Sequence, residues 1–383
     1  LTTPSAPSSS AHPPSWRVRR GGRWHSLGGG LLALLAAGCA DTTYLLGSVS
    51  GHLQILQAAR PVDQWLADDS TPQPLKQRLQ LAQQIRRFAV TALHLPDNPS
   101  YQRYADVQRR AAVWNVVAAP PFSLTLHQWC FPVAGCVGYR GYFDEQAAQQ
   151  QAAALRTEGL EVHVYPVPAY STLGWMNWAG GDPLLSTFIR YPEGELARMI
   201  FHELAHQVLY VKDDTAFNES FATAVERLGG ARWLQEEAGA AARQEYAAFD
   251  ARRKSFRALT RSTRQRLSGI YGPNNPLAPV NSAQAAMKMV AIADFQHAYA
   301  RLKQDWGGYA AYDAWAAGAN NASFGAQAAY DDWVDAFETL FARQHGDWQA
   351  FYGAVQALAE LPKAERTLRL QTLQTVATAG HPP

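Results

Sequence analysis

The segment with the most chemical content is Phe201-His-Glu-Leu-Ala-His-Gln207. Two histidines four residues apart lie one above the other on a helix face. As neutral imidazoles on successive turns they can bind one Zn²⁺ at ~2.0–2.1 Å. Glu203 is rotated ~100° from His202, so it can reach a water beside such a metal without taking a ligand position. This is the H-E-x-x-H pattern, in which the glutamate works as a general base. A hydrolytic site also needs a third protein ligand and a fourth position left open for water. Glu219 is the residue placed to be that third ligand, and twelve residues separate it from His206. Glu226, seven residues further on, shares the face of Glu219. It can accept a hydrogen bond from a ligand histidine, or be the ligand itself.

Two helices must hold these groups together. Pro192 with Glu193 and Glu195 makes a helix start favoured by a preset φ and by the macrodipole. Leu196, Met199, Ile200, Leu204 and Val208 continue its apolar stripe. Lys212-Asp-Asp214 reads as a turn, with an aspartate or Thr215 as the next N-cap. A second helix follows from Ala216, with Gly229-Gly230 as its stop. A turn this short sends the second helix back beside the first, carrying Glu219 toward His206.

Apolar recurrence at i, i+3 and i+4 predicts further helices over 44–60, 74–95 and 100–118. Phe122–Leu126 and Glu161–Tyr165 alternate like strands, and a helix from Asp144 to Glu158 lies between them. Beyond Pro192 the chain reads as helical nearly to its end, with breaks at 229–230, 271–280 and 318–321. The expected fold class is α+β, mostly α-helical: two site-bearing helices beside a small mixed sheet, with helical N- and C-terminal parts. The corresponding division is a front segment 1–39, a helical part 40–120, a core 121–230 bearing the site, and a helical part 231–383 closing the cleft.

Thirty-four Lys and Arg against 32 Asp and Glu leave the chain near neutral, which argues against a nucleic-acid partner. Three cysteines exclude a disulfide-dense scaffold or a multi-cysteine zinc ribbon. One basic stretch stands out: Arg252, Arg253, Lys254, Arg257, Arg261, Arg264 and Arg266. It reads as the solvated face of a long helix, or as a face lying against anionic headgroups if the chain is tethered to a membrane.

Such a tether is suggested at the front. Residues 1–16 cannot bury a core. Arg17, Arg19, Arg20 and Arg23 then precede an apolar run that ends in Leu35-Ala-Ala-Gly-Cys39. A basic region, a short apolar stretch and small residues are the parts of a secretory signal. With cysteine after the cut, the segment resembles a bacterial lipoprotein signal, although Leu35 sits one place further from the cysteine than is usual. The resemblance implies lipid on Cys39 and a location in the cell envelope facing the periplasm. Ala40, not Asp, follows the cysteine, which favours the outer membrane. Without the four arginines of the leader the remaining chain is slightly acidic. In an oxidising compartment Cys130 and Cys136 can pair as a disulfide across the Pro132–Gly135 loop; two buried thiols are the alternative.

His202-Glu-Leu-Ala-His206-Gln with Asn218-Glu-Ser-Phe-Ala222 and Val225-Glu226 resembles the gluzincin aminopeptidases. Cys136–Phe143, Ala169–Trp175 and Asp182–Thr187 extend the likeness to a family of lipid-anchored, gluzincin-like bacterial aminopeptidases. The resemblance implies one zinc per chain, held by His202, His206 and Glu219, and a peptide substrate. It departs from the larger gluzincins in its short His206–Glu219 spacing and in lacking a Gly-x-Met-Glu-Asn segment. An envelope endopeptidase and a non-catalytic peptide-binding lipoprotein therefore stay open beside the aminopeptidase. Peptide hydrolysis also needs a donor to the oxyanion. Tyr309, Tyr312, Tyr330 and His297 are candidates, and Tyr330 is favoured because it follows the Gly318–Ala322 loop. Tyr170–Thr172 and 182–190 are expected to form a cleft wall and an edge strand that pairs with an extended peptide.

Overall fold

Helix α5 (Glu193–Val208) begins where its sequence says it should, capped by Pro192 at φ −45° with Glu193 and Glu195 in its first turn. Leu196, Ile200 and Leu204 form one buried stripe, and Ala197, Phe201 and Ala205 another. Two adjacent stripes mean the helix is enclosed on most sides rather than lying on a surface. The computed structural model describes residue 44 and residues 47–380, apart from 132–134, 170, 175 and 273–281; the side chains of 329–331 and 376–380 are also outside it. The leader and Cys39 lie outside the described residues.

The described residues from 47 onward form one compact unit. It opens with α1 (47–58), β1 (Arg60–Pro61), α2 (Val62–Ala67) and α3 (Gln73–Thr91). The strands β2 (Arg103–Ala105), β3 (Val113–Ala119), β4 (Trp129–Phe131), β5 (Gly135–Val137) and β6 (Arg140–Tyr142) follow. Next come α4 (Glu145–Thr157), β7 (Glu161–Val167) and β8 (Leu184–Leu185), then α5 and α6 (Thr215–Glu236). The C-terminal helices are α7 (Ala240–Tyr271), α8 (Ser282–Asp305), α9 (Asp313–Ala317) and α10 (Asn321–Asp331). They end with α11 (Val334–Arg343), α12 (Trp348–Ala359) and α13 (Lys363–Gly380). The class is thus mostly helical α+β. No helix among the described residues is long and apolar enough to cross a membrane.

The expected single sheet is three small ones among the described residues. β6-β3-β7 is antiparallel, with Val116 opposite both Arg140 and Val164. β1-β2-β8 is mixed, and β4-β5 is a hairpin that sets Cys130 opposite Cys136. Those two cysteines are joined by a disulfide.

Three sequence expectations are corrected. The helix over 100–118 is instead β2 and β3. All seven residues of β3 are buried, because α4 packs against it and α10 does too. A strand covered on both faces loses its polar alternation, and its apolar run then passes for a helix. Phe122–Leu126 is not a strand: Ser123 N donates to Pro120 O (3.2 Å) in a turn, and His127 N returns to Ala118 O (2.8 Å). Gly229-Gly230 does not end α6, which runs through to Glu236. The glycines instead admit close neighbours: a Cβ at Gly229 would lie 2.6 Å from Leu93 and 3.1 Å from Phe201. Gly229→Ala is therefore expected to destabilise the fold by about 1–3 kcal/mol, read as a lowered denaturant midpoint; an unchanged midpoint would contradict this packing.

Candidate metal centre

The turn after α5 is held by one side chain. Asn218 Oδ1 accepts from Val211 N (2.8 Å) and its Nδ2 donates to Val211 O (2.7 Å), so the loop closes onto the first turn of α6. Asp214 caps that helix, accepting from Phe217 N (3.4 Å). Its other oxygen takes two hydrogen bonds from Arg366 of α13, at 3.0 and 2.8 Å. Glu219, one residue beyond Asn218, is thereby delivered to α5 at a defined angle.

Three side-chain atoms converge there. His202 Nε2 lies 3.2 Å from His206 Nε2 and 3.4 Å from Glu219 Oε2, and His206 Nε2 lies 3.7 Å from the same oxygen. A tetrahedral cation with bonds of ~2.0–2.1 Å sets its ligand atoms about 3.3–3.4 Å apart, and the three separations bracket that value. His202, His206 and Glu219 form the one group among the described residues able to hold a metal ion. The donor set, two imidazoles and one carboxylate, suits a catalytic zinc.

The opposite edge of the His202 ring is also engaged. Its Nδ1 sits 3.1 Å from Glu226 Oε2, which directs the Nε2 lone pair toward the triangle. Glu226 is paired in turn with Arg198, one turn before His202; Arg198 is buried and Glu226 half-buried. Burial would raise the Glu226 carboxyl, but Arg198 and His202 outweigh it and hold it well below the usual carboxylate range. The Glu219 carboxyl is likewise held low against burial, by His206 and His202. Burial, helped by His202 and opposed by Glu219 and Glu226, pushes His206 down to about 4. For His202 the cost of burial is overcome by Glu219 and Glu226, and its pKa is raised. Arg198 offsets the charge of Glu226, and positive charge in the triangle would offset that of Glu219. A proton can supply it, and a dication in the triangle can do so equally.

Glu203 is buried and contributes no atom to the triangle. Burial pushes its carboxyl up to about 7; His202 opposes the shift, and Glu219 and Asp182 reinforce it. A carboxyl near neutrality is suited to exchanging protons during a reaction.

Sequence reasoning passed over several residues around this centre. Gln207 Nε2 donates to Ser100 Oγ (3.1 Å) and Asp182 Oδ2 (3.3 Å), while its Oε1 accepts from Asn98 Nδ2 (2.7 Å). Asp182 also accepts from Thr172 N (3.0 Å) and Ser171 Oγ (3.4 Å). The 171–182 segment thus adjoins the end of α5. The edge strand there is only the buried pair Leu184–Leu185, joined to β2; Tyr170 is outside the described residues. Tyr139 is the other omission. Burial raises its hydroxyl well above the usual value, with Glu219 and Glu203 among the charges adding to the shift. Tyr139 and Tyr165 line a cavity of about 420 Å³ floored by Val117 and Leu126 and flanked by Trp333. Both Tyr139 and Asp182 fall inside stretches that carried the family resemblance, and that was the available signal.

The oxyanion candidates fare differently. Tyr312 stacks on Phe256 at 4.1 Å and Tyr309 stands edge-on to Tyr312, so both belong to an aromatic cluster packed on α7. His297 is exposed on α8. Tyr330 falls near the end of α10, and its side chain lies outside the described residues.

The helical α+β fold thus presents two histidines and a glutamate at distances that could hold a metal ion, beside a buried carboxylate. A family profile described as "Putative aminopeptidase" matches residues 43–370, and the chain belongs to that family. Membership implies peptidase chemistry and a peptide substrate. No curated protein and no solved structure matches the chain.

Proposed function

We propose that the chain is a zinc-dependent aminopeptidase whose metal is held by His202, His206 and Glu219. The observation that carries this reading is the 3.2–3.7 Å triangle beside the buried Glu203. Zinc in such a site supplies a Lewis acid for a peptide carbonyl and lowers the pKa of water. Glu203 takes the proton from the attacking water and passes it to the departing amine. Glu226 keeps His202 in the tautomer that offers Nε2, and Arg198 keeps Glu226 ionised. The cavity beside Tyr139 and Tyr165 accommodates a side chain of the peptide.

The oxyanion donor is a phenol in this reading, Tyr330 from its place after the Gly318–Ala322 loop or Tyr139 from its coupling to Glu219 and Glu203. Replacing the true donor by Phe should lower kcat ~10²–10³-fold with KM little changed. Similar small losses in Tyr139→Phe and Tyr330→Phe would exclude both.

Glu226→Gln should weaken zinc by ~10–100-fold, the usual cost of losing an outer partner. It should also destabilise the apo-protein, by about 1–3 kcal/mol, because buried Arg198 keeps only the more distant Glu195 (3.7 Å) as a charge partner. Zinc titration and denaturant melts read the two effects separately, and wild-type zinc affinity would refute the orienting role.

Protein loaded with one zinc per chain and assayed on free and N-blocked peptides tests the function. Cleavage restricted to free N-termini is expected. Cleavage of blocked peptides would make the chain an endopeptidase, and no cleavage of either would make it a binding protein. The sequence of residues 17–40 further supports a lipid anchor on Cys39 and an outer-membrane, periplasm-facing location. Palmitate labelling that persists in Cys39→Ser would refute the anchor.

A further inference from the structure

A second recess lies along α7, and none of His202, Glu203, His206 and Glu219 lines it. Helices α6, α7 and α11 wall a cleft of about 520 Å³, within the size range of small-molecule sites. The basic stretch of α7 is therefore not simply a solvated face. Arg253, Lys254, Arg257 and Arg261 recur at helical spacing along one wall, and Arg227 of α6 faces them. Only Asp250 and Glu338 among the lining residues carry negative charge.

With Glu195 paired to Arg253 and Glu226 acting on Arg257, the five cations of the lining meet four carboxylates, a surplus of one. Asp250 is shared by Arg253 (3.2 Å) and Lys254 (2.8 Å), and Glu338 stands 3.6 Å from Arg227. Arg253 is also clamped by both oxygens of Glu195, at 2.7 and 3.0 Å, so its guanidinium is held in place. Arg261 is exposed and has no ion pair among the described residues. Arg253, Arg257 and Arg261 are successive i, i+4 neighbours, and like charges at that spacing repel. A recess with low-dielectric walls concentrates the resulting positive potential. Arginine forks match phosphate oxygens two at a time. A concave pocket of this volume suits a discrete anion better than a flat bilayer surface.

We propose that this cleft binds a small anion carrying two or more phosphate groups, with Arg257 and Arg261 on one side and Arg227 on the other. Lys254 guards the mouth, with its side chain 78% exposed. The phosphates can come from a soluble metabolite or from a lipid headgroup, and both present the same oxygens to the cleft.

Calorimetric titration of the full chain with inorganic pyrophosphate tests the site. Saturable binding of one pyrophosphate per chain is expected, with orthophosphate weaker. Lys254→Glu combined with Arg261→Glu alters two exposed side chains and should weaken binding at least ~10-fold. Asp250→Asn removes a competing carboxylate and should tighten it. Binding of the wild type, but not the double variant, to vesicles containing the two-phosphate lipid cardiolipin and not to phosphatidylcholine vesicles would name a headgroup as the source. Pyrophosphate binding without vesicle binding would name a soluble phosphate. No saturable binding, or binding unchanged in the double variant, overturns the proposal. So does binding that disappears on metal removal yet survives the double substitution, because it belongs to the metal centre.

Discussion

Glu203→Gln protein is expected to bind zinc in the wild-type amount and to hydrolyse peptides ~10²–10⁴-fold more slowly, the range that a general base contributes. Glu203 supplies no atom to the His202, His206 and Glu219 group, so the amide leaves the ligand set intact. The fold should also tolerate the change. Burial raises the Glu203 carboxyl to about 7, so its ionised form is disfavoured in the folded chain. A raised carboxyl pKa weakens stability as pH rises above the unfolded value, and an uncharged isostere removes that cost near neutrality. Metal content, melting temperature and kcat measured on one preparation therefore separate the base from a structural role. Retention of more than about a tenth of wild-type kcat would end the assignment.

The second large effect is expected from Glu219→Ala, which should lose its zinc on dialysis together with all measurable turnover. Outer-shell partners already cost ~10–100-fold in metal affinity, and a directly bound carboxylate should cost more. The physical reason is charge. With a metal bound the two imidazoles would be neutral donors, and Glu219 would be the one anionic member of the triangle. The alanine protein should still fold, because Asn218, not Glu219, closes the turn onto Val211. Zinc measured by atomic absorption after exhaustive dialysis decides the matter. A full equivalent of metal in the variant would mean that Glu219 is not a ligand. Contrast with Glu226→Gln is informative, since that variant keeps every atom of the triangle.

The site was legible to an unusual degree because its chemistry is local in sequence. The i, i+4 spacing of His202 and His206 is a property of any helix, and Pro192 with two glutamates marks where that helix must begin. Glu219 could be placed because a short turn leaves the next helix few directions. β3 was misread for a physical reason: burial on both faces erases the alternation that identifies a strand. Gly229 and Gly230 look like a helix terminus in sequence, yet here they let Leu93, Phe201 and Arg198 pack against α6.

By itself the sequence determined the spacing of His202 and His206, the position of Glu203 beside His202, the helical start at Pro192 and the pairing-competent Cys130 and Cys136. Each depends on residues few positions apart, where backbone geometry alone sets distance. The tertiary structure decided what depends on elements meeting from afar. Glu226 came to the back of His202 beside its partner Arg198, and Tyr139, in the link between β5 and β6, came within electrostatic reach of Glu219. The basic stretch became the wall of a cleft only because α6 and α11 face it. Burial, which sets the charge state of every group in the centre, is a property of that packing, and no local pattern encodes it.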